Sequence, residues 1–229
     1  MTAAARQIPL PLPVRTALGE ADFLVTDSNR EAVAWLDSWP DWPGQGLLLQ
    51  GPPASGKSHL LTIWAKRANA SVLTGGSLTM ESAVCASGPV AVDGADQCHN
   101  INLLFHLINQ VRASGGTLLL ATERSSGEWA GRLPDLQSRL AALPLATLAA
   151  PNDELLAGLA AKLFHDRQIV VPDAVIAYML TRLERSCAAV AAAVEKLDQA
   201  AWAERRALTL PLARRILDPE TPNPHRQPD

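Results

Sequence analysis

Four stretches of this chain carry residue types that can do chemistry, and the most specific is Gly51-Pro52-Pro53-Ala54-Ser55-Gly56-Lys57-Ser58. Its spacing, G-x-x-x-x-G-K-[ST], is that of a phosphate-binding loop, set between apolar Leu47-Leu48-Leu49 and a helix-compatible run that starts at His59. Gly51 and Gly56 let the backbone bend so that successive N–H groups point inward at an anion, and the helix beginning near Lys57 adds its positive N-terminal end. Lys57 would reach the outer phosphates of ATP or ADP and the Ser58 hydroxyl would hold Mg²⁺, with His59 directly after it. The second stretch, Pro89-Val90-Ala91-Val92-Asp93, is an apolar run closed by an acid. Downstream of such a loop, Asp93 reads as the acid that orients Mg²⁺ through water, a turn aspartate before Gly94 being the alternative. The third, Thr117 to Thr122, ends in polar residues, so that Thr122 or Glu123 stands where a group sensing the γ-phosphate would be; a plain strand-ending polar residue is its rival. The fourth, Leu133 to Leu140, is a short helix with Arg139 near its end, where a charge complementing the helix dipole is the simpler reading.

These residues need strands and helices to hold them. The spacing predicts a helix from Glu31 to Trp39, capped by Asp27 or Ser28, then a strand over Gly46–Gln50 and a helix from the loop to about Asn69. A short strand at Ser71–Leu73 precedes a brief helix around Leu78–Val84. Ile101, Leu104, Phe105, Ile108 and Val111 recur at helical steps within Gln97–Ala113, and Leu143–Ala149 supplies a fifth strand. Trp129 falls in a loop. Alternating strands and helices around buried apolar runs describe an α/β fold: a doubly wound parallel sheet with helices on both faces over residues 22–150. After Pro151 the pattern is helical only, with helices to about Gln168, from Pro172-Asp173 to Arg185, from Cys187 to Glu204 and from Thr209 to Leu217. Residues 151–218 thus read as a small all-helical lid, and the polar, Pro-rich 219–229 as a disordered tail.

Residues 1–21 read differently. Pro9, Pro11 and Pro13 forbid a helix, leaving an extended peptide. Within it, Gln7-Ile8-Pro9-Leu10-Pro11-Leu12 puts Ile8, Leu10 and Leu12 on one face behind a polar anchor, and the prolines lower the ordering cost of docking. A leader packing on its own domain is the alternative.

Composition narrows the function classes. The 229 residues are 48% hydrophobic and 19% charged, a globular composition, and their formal net charge of −3 provides no basic field for nucleic-acid binding. Cys85, Cys98 and Cys187 are odd in number and lack a C-x-x-C pair, which favours buried free thiols. No apolar run approaches the ~18 residues of a membrane span, and no signal peptide opens the chain, so a cytoplasmic location is expected.

The ensemble resembles a known family. A phosphate-binding sheet followed by a helical lid is the layout of AAA+ proteins. The order of Asp22-Phe23, the loop, Leu104-Phe105-His106-Leu107-Ile108-Asn109, Leu133-Pro134-Asp135-Leu136-Gln137-Ser138-Arg139-Leu140 and Arg182-Leu183-Glu184-Arg185 looks like the ATPase core of DnaA, and more closely the short Hda-type homologues. The likeness spans roughly residues 7 to 218. It implies a negative regulator of replication initiation: bound to the sliding clamp (the DNA polymerase III beta subunit) through Gln7–Leu12 and holding ADP, such a protein presents Arg139 in trans to ATP on a DnaA-type initiator. Initiators continue into a helix-turn-helix domain, whereas this chain stops after the lid, so no direct sequence-specific DNA binding is implied; self-association is left open.

Two departures from the family pattern stand out. AAA+ ATPases usually carry a second acid directly after the first, and here that position is Gly94, which implies weak intrinsic hydrolysis. The second-sensor arginine of the lid falls on Ala188, so that either Arg185 substitutes from the preceding turn or the site lacks that contact. Three other readings stay open: an autonomous AAA+ loader or remodelling ATPase, a P-loop small-molecule kinase, and a binding module without turnover.

Overall fold

The structure, a computed structural model, describes residues 25–218 apart from 132 and 205. The peptide Gln7–Leu12, Asp22-Phe23 and the tail 219–229 therefore lie outside the described residues.

Five strands, β1 (Gly46–Gln50), β2 (Ser71–Thr74), β3 (Val90–Asp93), β4 (Leu118–Thr122) and β5 (Leu145–Thr147), form one sheet in the order β2-β3-β4-β1-β5. Every pairing is parallel, with Gln50 opposite Thr122 and Thr147, and Thr74 opposite Asp93. Parallel strands need crossover connections, and these place helices on both faces, as the continuous apolar runs require. On one face, Leu47, Leu49, Ala91, Leu119 and Ala121 pack with α1 (Arg30–Asp37) and α2 (Lys57–Ala68). On the other, Leu48, Val90, Val92, Leu118 and Leu120 pack with α3 (Met80–Val84), α4 (Ile101–Ala113), α5 (Ser126–Trp129) and α6 (Pro134–Ala141). Leu47, Leu48 and Leu49 are all buried, at about 1.5–3 kcal/mol each, so β1 is held from both sides. Trp64 of α2 is fully buried and stacks on Trp42 at 5.2 Å, locking the loop's helix to the segment before β1.

The C-terminal helices α7 (Asp153–Asp166), α8 (Asp173–Arg182), α9 (Cys187–Glu204) and α10 (Leu210–Leu217) have their own core around Leu156, Phe164, Val175, Met179, Val190, Val194 and Leu197. Asn152 caps α7 by accepting from the Leu155 N–H at 2.9 Å.

Several local expectations shift. The residue before α1 is Asn29, not Asp27 or Ser28; its Oδ1 accepts from the Thr26 N–H at 2.9 Å. Trp129 ends the one-turn helix α5 and does not lie in a loop. The fifth strand is shorter than 143–149, because the Ala149 N–H turns away to the Ser28 carbonyl at 3.0 Å. Helix α8 stops at Arg182 instead of Arg185, the backbone becoming extended at Leu183. Of the three thiols, Cys98 is buried and Cys187 half-buried, but Cys85 is exposed.

Candidate functional site

The loop Gly51–Gly56 leaves the C-terminal end of β1 and turns directly into α2. Ala54 (φ 59°) and Gly56 (φ 97°) both take left-handed conformations, which alternate the direction of successive N–H groups as an anion cradle requires. Gly51 is needed for space: a Cβ there would lie 2.8 Å from the Leu148 carbonyl oxygen and from Ser55 Oγ. Gly56 precedes Lys57 without a side-chain cap, so the first N–H groups of α2 are available to an anion.

A cavity of about 350 Å³ opens on this loop. Because all strands are parallel, the C-terminal ends of β2, β3 and β4 meet the loop after β1 there, the usual ligand position in such sheets. Ala54, Ser55, Gly56, Lys57, Ser58 and His59 line it from the loop and α2, Asp93 from β3, and Thr122 and Glu123 from the end of β4. Gly51 and Pro52 contribute their carbonyls to Lys57, and Pro53 is exposed outside the lining. The fold thus gathers the loop, Asp93, Thr122 and Glu123 around one space.

Lys57 is the main cation of this space. Its Nζ donates to the carbonyls of Gly51 (2.8 Å) and Pro52 (2.7 Å) and lies 4.0 Å from Glu123 Oε1. Burial pushes its pKa below the ordinary lysine value, partly opposed by the charges of Glu123, Asp93 and Asp96. Two buried hydroxyls, Ser55 Oγ and Thr122 Oγ1, line the cavity and have no hydrogen-bond partner among the described residues. Buried polar groups are almost always satisfied, so these two fit a polar ligand such as a nucleotide's phosphates. Ser58 and Asp93 face the same space and are the oxygen donors that suit Mg²⁺.

Other residues were not singled out by sequence reasoning as part of the site. Thr74 and Gln97 line the cavity, but neither belongs to a recognisable spacing. Asp96 is outside the lining: its side chain is 3% exposed, and Oδ2 accepts from Arg124 Nε and from the Arg124 N–H, both at 3.3 Å. Arg124 in turn accepts, at its carbonyl, from Trp129 Nε1 at 3.3 Å. Asp96, three residues after Asp93, and Arg124, directly after Glu123, are thereby tied together outside the cavity lining. Gly94 is left-handed (φ 65°, ψ 46°), and Gly75 lies so close that a Cβ on it would fall 2.0 Å from the Gly94 carbonyl oxygen. The missing second acid is therefore also a backbone feature.

The lid contributes Cys187 and Ala188 to the lining, so the wall it presents is small and uncharged. Arg185 sits in the turn before α9, paired with Asp153 Oδ1 at 3.0 Å on the surface, and does not line the cavity. Arg139, in the last turn of α6, is also outside the lining; its guanidinium stacks on Phe105 of α4, 5.4 Å from the ring centroid.

Fold and site together define an AAA+ P-loop module, and comparison with solved structures agrees. Domain III of the Thermotoga maritima replication initiation protein DnaA superposes with a TM-score of 0.73 at 17% identity, covering 92% of this chain and all of that one. The Thermotoga maritima RuvB Holliday junction branch migration motor gives 0.63 at 16% identity over 76% of this chain and 61% of that one, and a DNA replication initiation factor gives 0.67 at 14%, over 82% and 66%. An uncharacterised protein of Haemophilus influenzae is 26% identical over 93% of this chain and 99% of its own length. Residues 157–217 match the family model of the Hda lid domain. The C-terminal helices are thus similar to the Hda lid, on a fold shared with AAA+ proteins.

Proposed function

We propose that this protein is a nucleotide-holding adaptor that down-regulates replication initiation by stimulating hydrolysis of ATP bound to a DnaA-type initiator. It divides into a peptide (1–21), a nucleotide-binding domain (22–150), a lid (151–218) and a tail (219–229). ADP or ATP with Mg²⁺ is held by Gly51–His59, with Ser58 and Asp93 on the metal side and Thr122 and Glu123 beside the outer phosphate. Gly94, in place of an acid, leaves the attacking water without its usual polarising group, so turnover in this chain's own site is weak.

The observation that carries the reading is the position of Arg139. It packs on Phe105 and is not among the residues lining the cavity of its own chain, which suits delivery to a neighbour's nucleotide. An arginine supplied in trans stabilises charge on a transferring phosphoryl group, an effect of about 10³ to 10⁵ in rate in GTPases. The peptide Gln7–Leu12 recruits the protein to the DNA-loaded sliding clamp and so to newly replicated DNA.

Reconstitution tests both parts: labelled ATP on the initiator, DNA-loaded clamp, and this protein as wild type, Arg139→Ala and Gln7→Ala. Stimulated hydrolysis is expected to be lost in both variants, and clamp binding only in Gln7→Ala. If Arg139→Ala stimulates as well as the wild type, the trans arginine is misassigned. Rapid hydrolysis by the isolated protein, unaffected by the initiator, would instead favour an autonomous ATPase.

A further inference from the structure

A groove of about 700 Å³ runs across the end of the lid opposite Cys187, between the chain leaving α7, the last turns of α9 and the segment before α10. Its walls hold the two most exposed large apolar side chains described, Val170 at 88% and Trp202 at 85%; the others lie at 44% to 55%. Ala201 and Ile169 also line it, and Leu208, only 3% exposed, is part of the same lining. A tryptophan held this far into solvent beside such a groove is a large apolar surface left uncovered.

The charges on the rim indicate what covers it. Arg167 Nε lies 3.5 Å from Asp198 Oδ2, and its Nη1 donates to the Leu163 carbonyl at 3.0 Å, so those two charges answer each other. Arg206, also on the rim and exposed, has no carboxylate partner among the described residues. Among the described residues the rim therefore carries two guanidiniums against one carboxylate. A single uncompensated cation is too little for a membrane surface or a nucleic-acid backbone, which need a broad basic field, while the whole chain has a net charge of −3. It matches one carboxylate beside an apolar anchor.

We propose that this groove docks a short extended peptide of a partner protein, with a bulky aliphatic or aromatic side chain packing between Val170 and Trp202 and an adjacent carboxylate pairing with Arg206. A cavity of this size takes one large side chain with its neighbours, and a tryptophan and an arginine are the residue types that most often dominate such contacts. The surface is separate from Arg139 and from the nucleotide cavity, so it does not depend on the function proposed above.

The test is a selection from a random peptide display library on the full chain, with the Trp202→Ala/Arg206→Glu variant as the counter-target. Selected peptides are then synthesised and titrated by fluorescence anisotropy. Both side chains are exposed, so the variants are expected to melt with the wild type. The expected result is a consensus of an apolar residue next to Asp, Glu or a free C-terminus, with affinity reduced at least about tenfold by Trp202→Ala and by Arg206→Glu separately, and weakened by salt. The proposal is overturned if nothing is enriched over the counter-target, if the consensus is basic, or if enriched peptides bind the variants equally. It is equally overturned if Trp202→Ala abolishes binding to anionic lipid vesicles or self-association by sedimentation, since the groove would then serve a membrane or a second copy.

Discussion

Gly94 offers the sharpest test of why this AAA+ site lacks its second acid. Its backbone is left-handed, at φ 65° and ψ 46°, where an L side chain costs about 1–2 kcal/mol. A Cβ added there would lie 3.0 Å from Gln97 Cδ, but a glutamine side chain can give way, so the backbone term dominates. Nor can the loop back off freely, because the Gly94 carbonyl already packs against Gly75. Gly94→Glu and Gly94→Ala should thus destabilise by the same amount, and Gly94→Asn by less, since asparagine tolerates this conformation. At about 2–4 °C per kcal/mol for a chain of this size, the fall in melting temperature should be about 2–8 °C for Glu and Ala. Scanning calorimetry on the three variants measures it. If Gly94→Ala melts with the wild type, or if only Gly94→Glu falls, the cause is side-chain charge and the backbone argument fails.

Three further outcomes follow from named contacts. Lys57→Ala should weaken ADP binding at least about tenfold by titration calorimetry, since it removes the cation on the loop. Lys57 also has a folded pKa below its unfolded value of 10.5, so the unfolded chain binds more protons just below pH 10.5 and stability rises with pH there; in Lys57→Met, urea denaturation across that window should show a flatter dependence. Arg124→Ala should cost about 1–3 kcal/mol in urea by stranding the buried Asp96 carboxylate, and Asp96→Asn in the same chain should recover part of it; a double variant no more stable than Arg124→Ala would refute the pairing.

The most legible parts of the sequence were those whose chemistry is local. Gly51 to Ser58 announces its cradle because the glycine spacing and the lysine are fixed by phosphate geometry, and Leu47-Leu48-Leu49 announces a strand covered on both sides because both faces are apolar. The span Cys187–Glu204 was legible to the residue, since an alanine-rich run without Gly or Pro has one comfortable conformation. Arg124 was not legible, because its partner Asp96 is 28 positions away and only the sheet brings them together. The end of α8 was also hidden: Arg182-Leu183-Glu184-Arg185 is composed of good helix formers, and tertiary packing overrides that preference at Leu183. For that reason the position of Arg185, away from the cavity, could not be read from its spacing.

Helix α9 joins two places that the chain otherwise keeps apart. Its first residues, Cys187 and Ala188, form the lid's side of the nucleotide cavity, and Trp202 in its last turn stands on the groove. With 18 residues at 1.5 Å each it is about 27 Å long, and nothing in Cys187–Glu204 provides a kink. Such a cylinder transmits rotation as a lever does: a tilt of about 5° at one end displaces the other by about 2 Å over this length. The wall that touches one ligand and the indole that would touch another are thus two ends of a single stiff arm, whose angle cannot be set at one end alone.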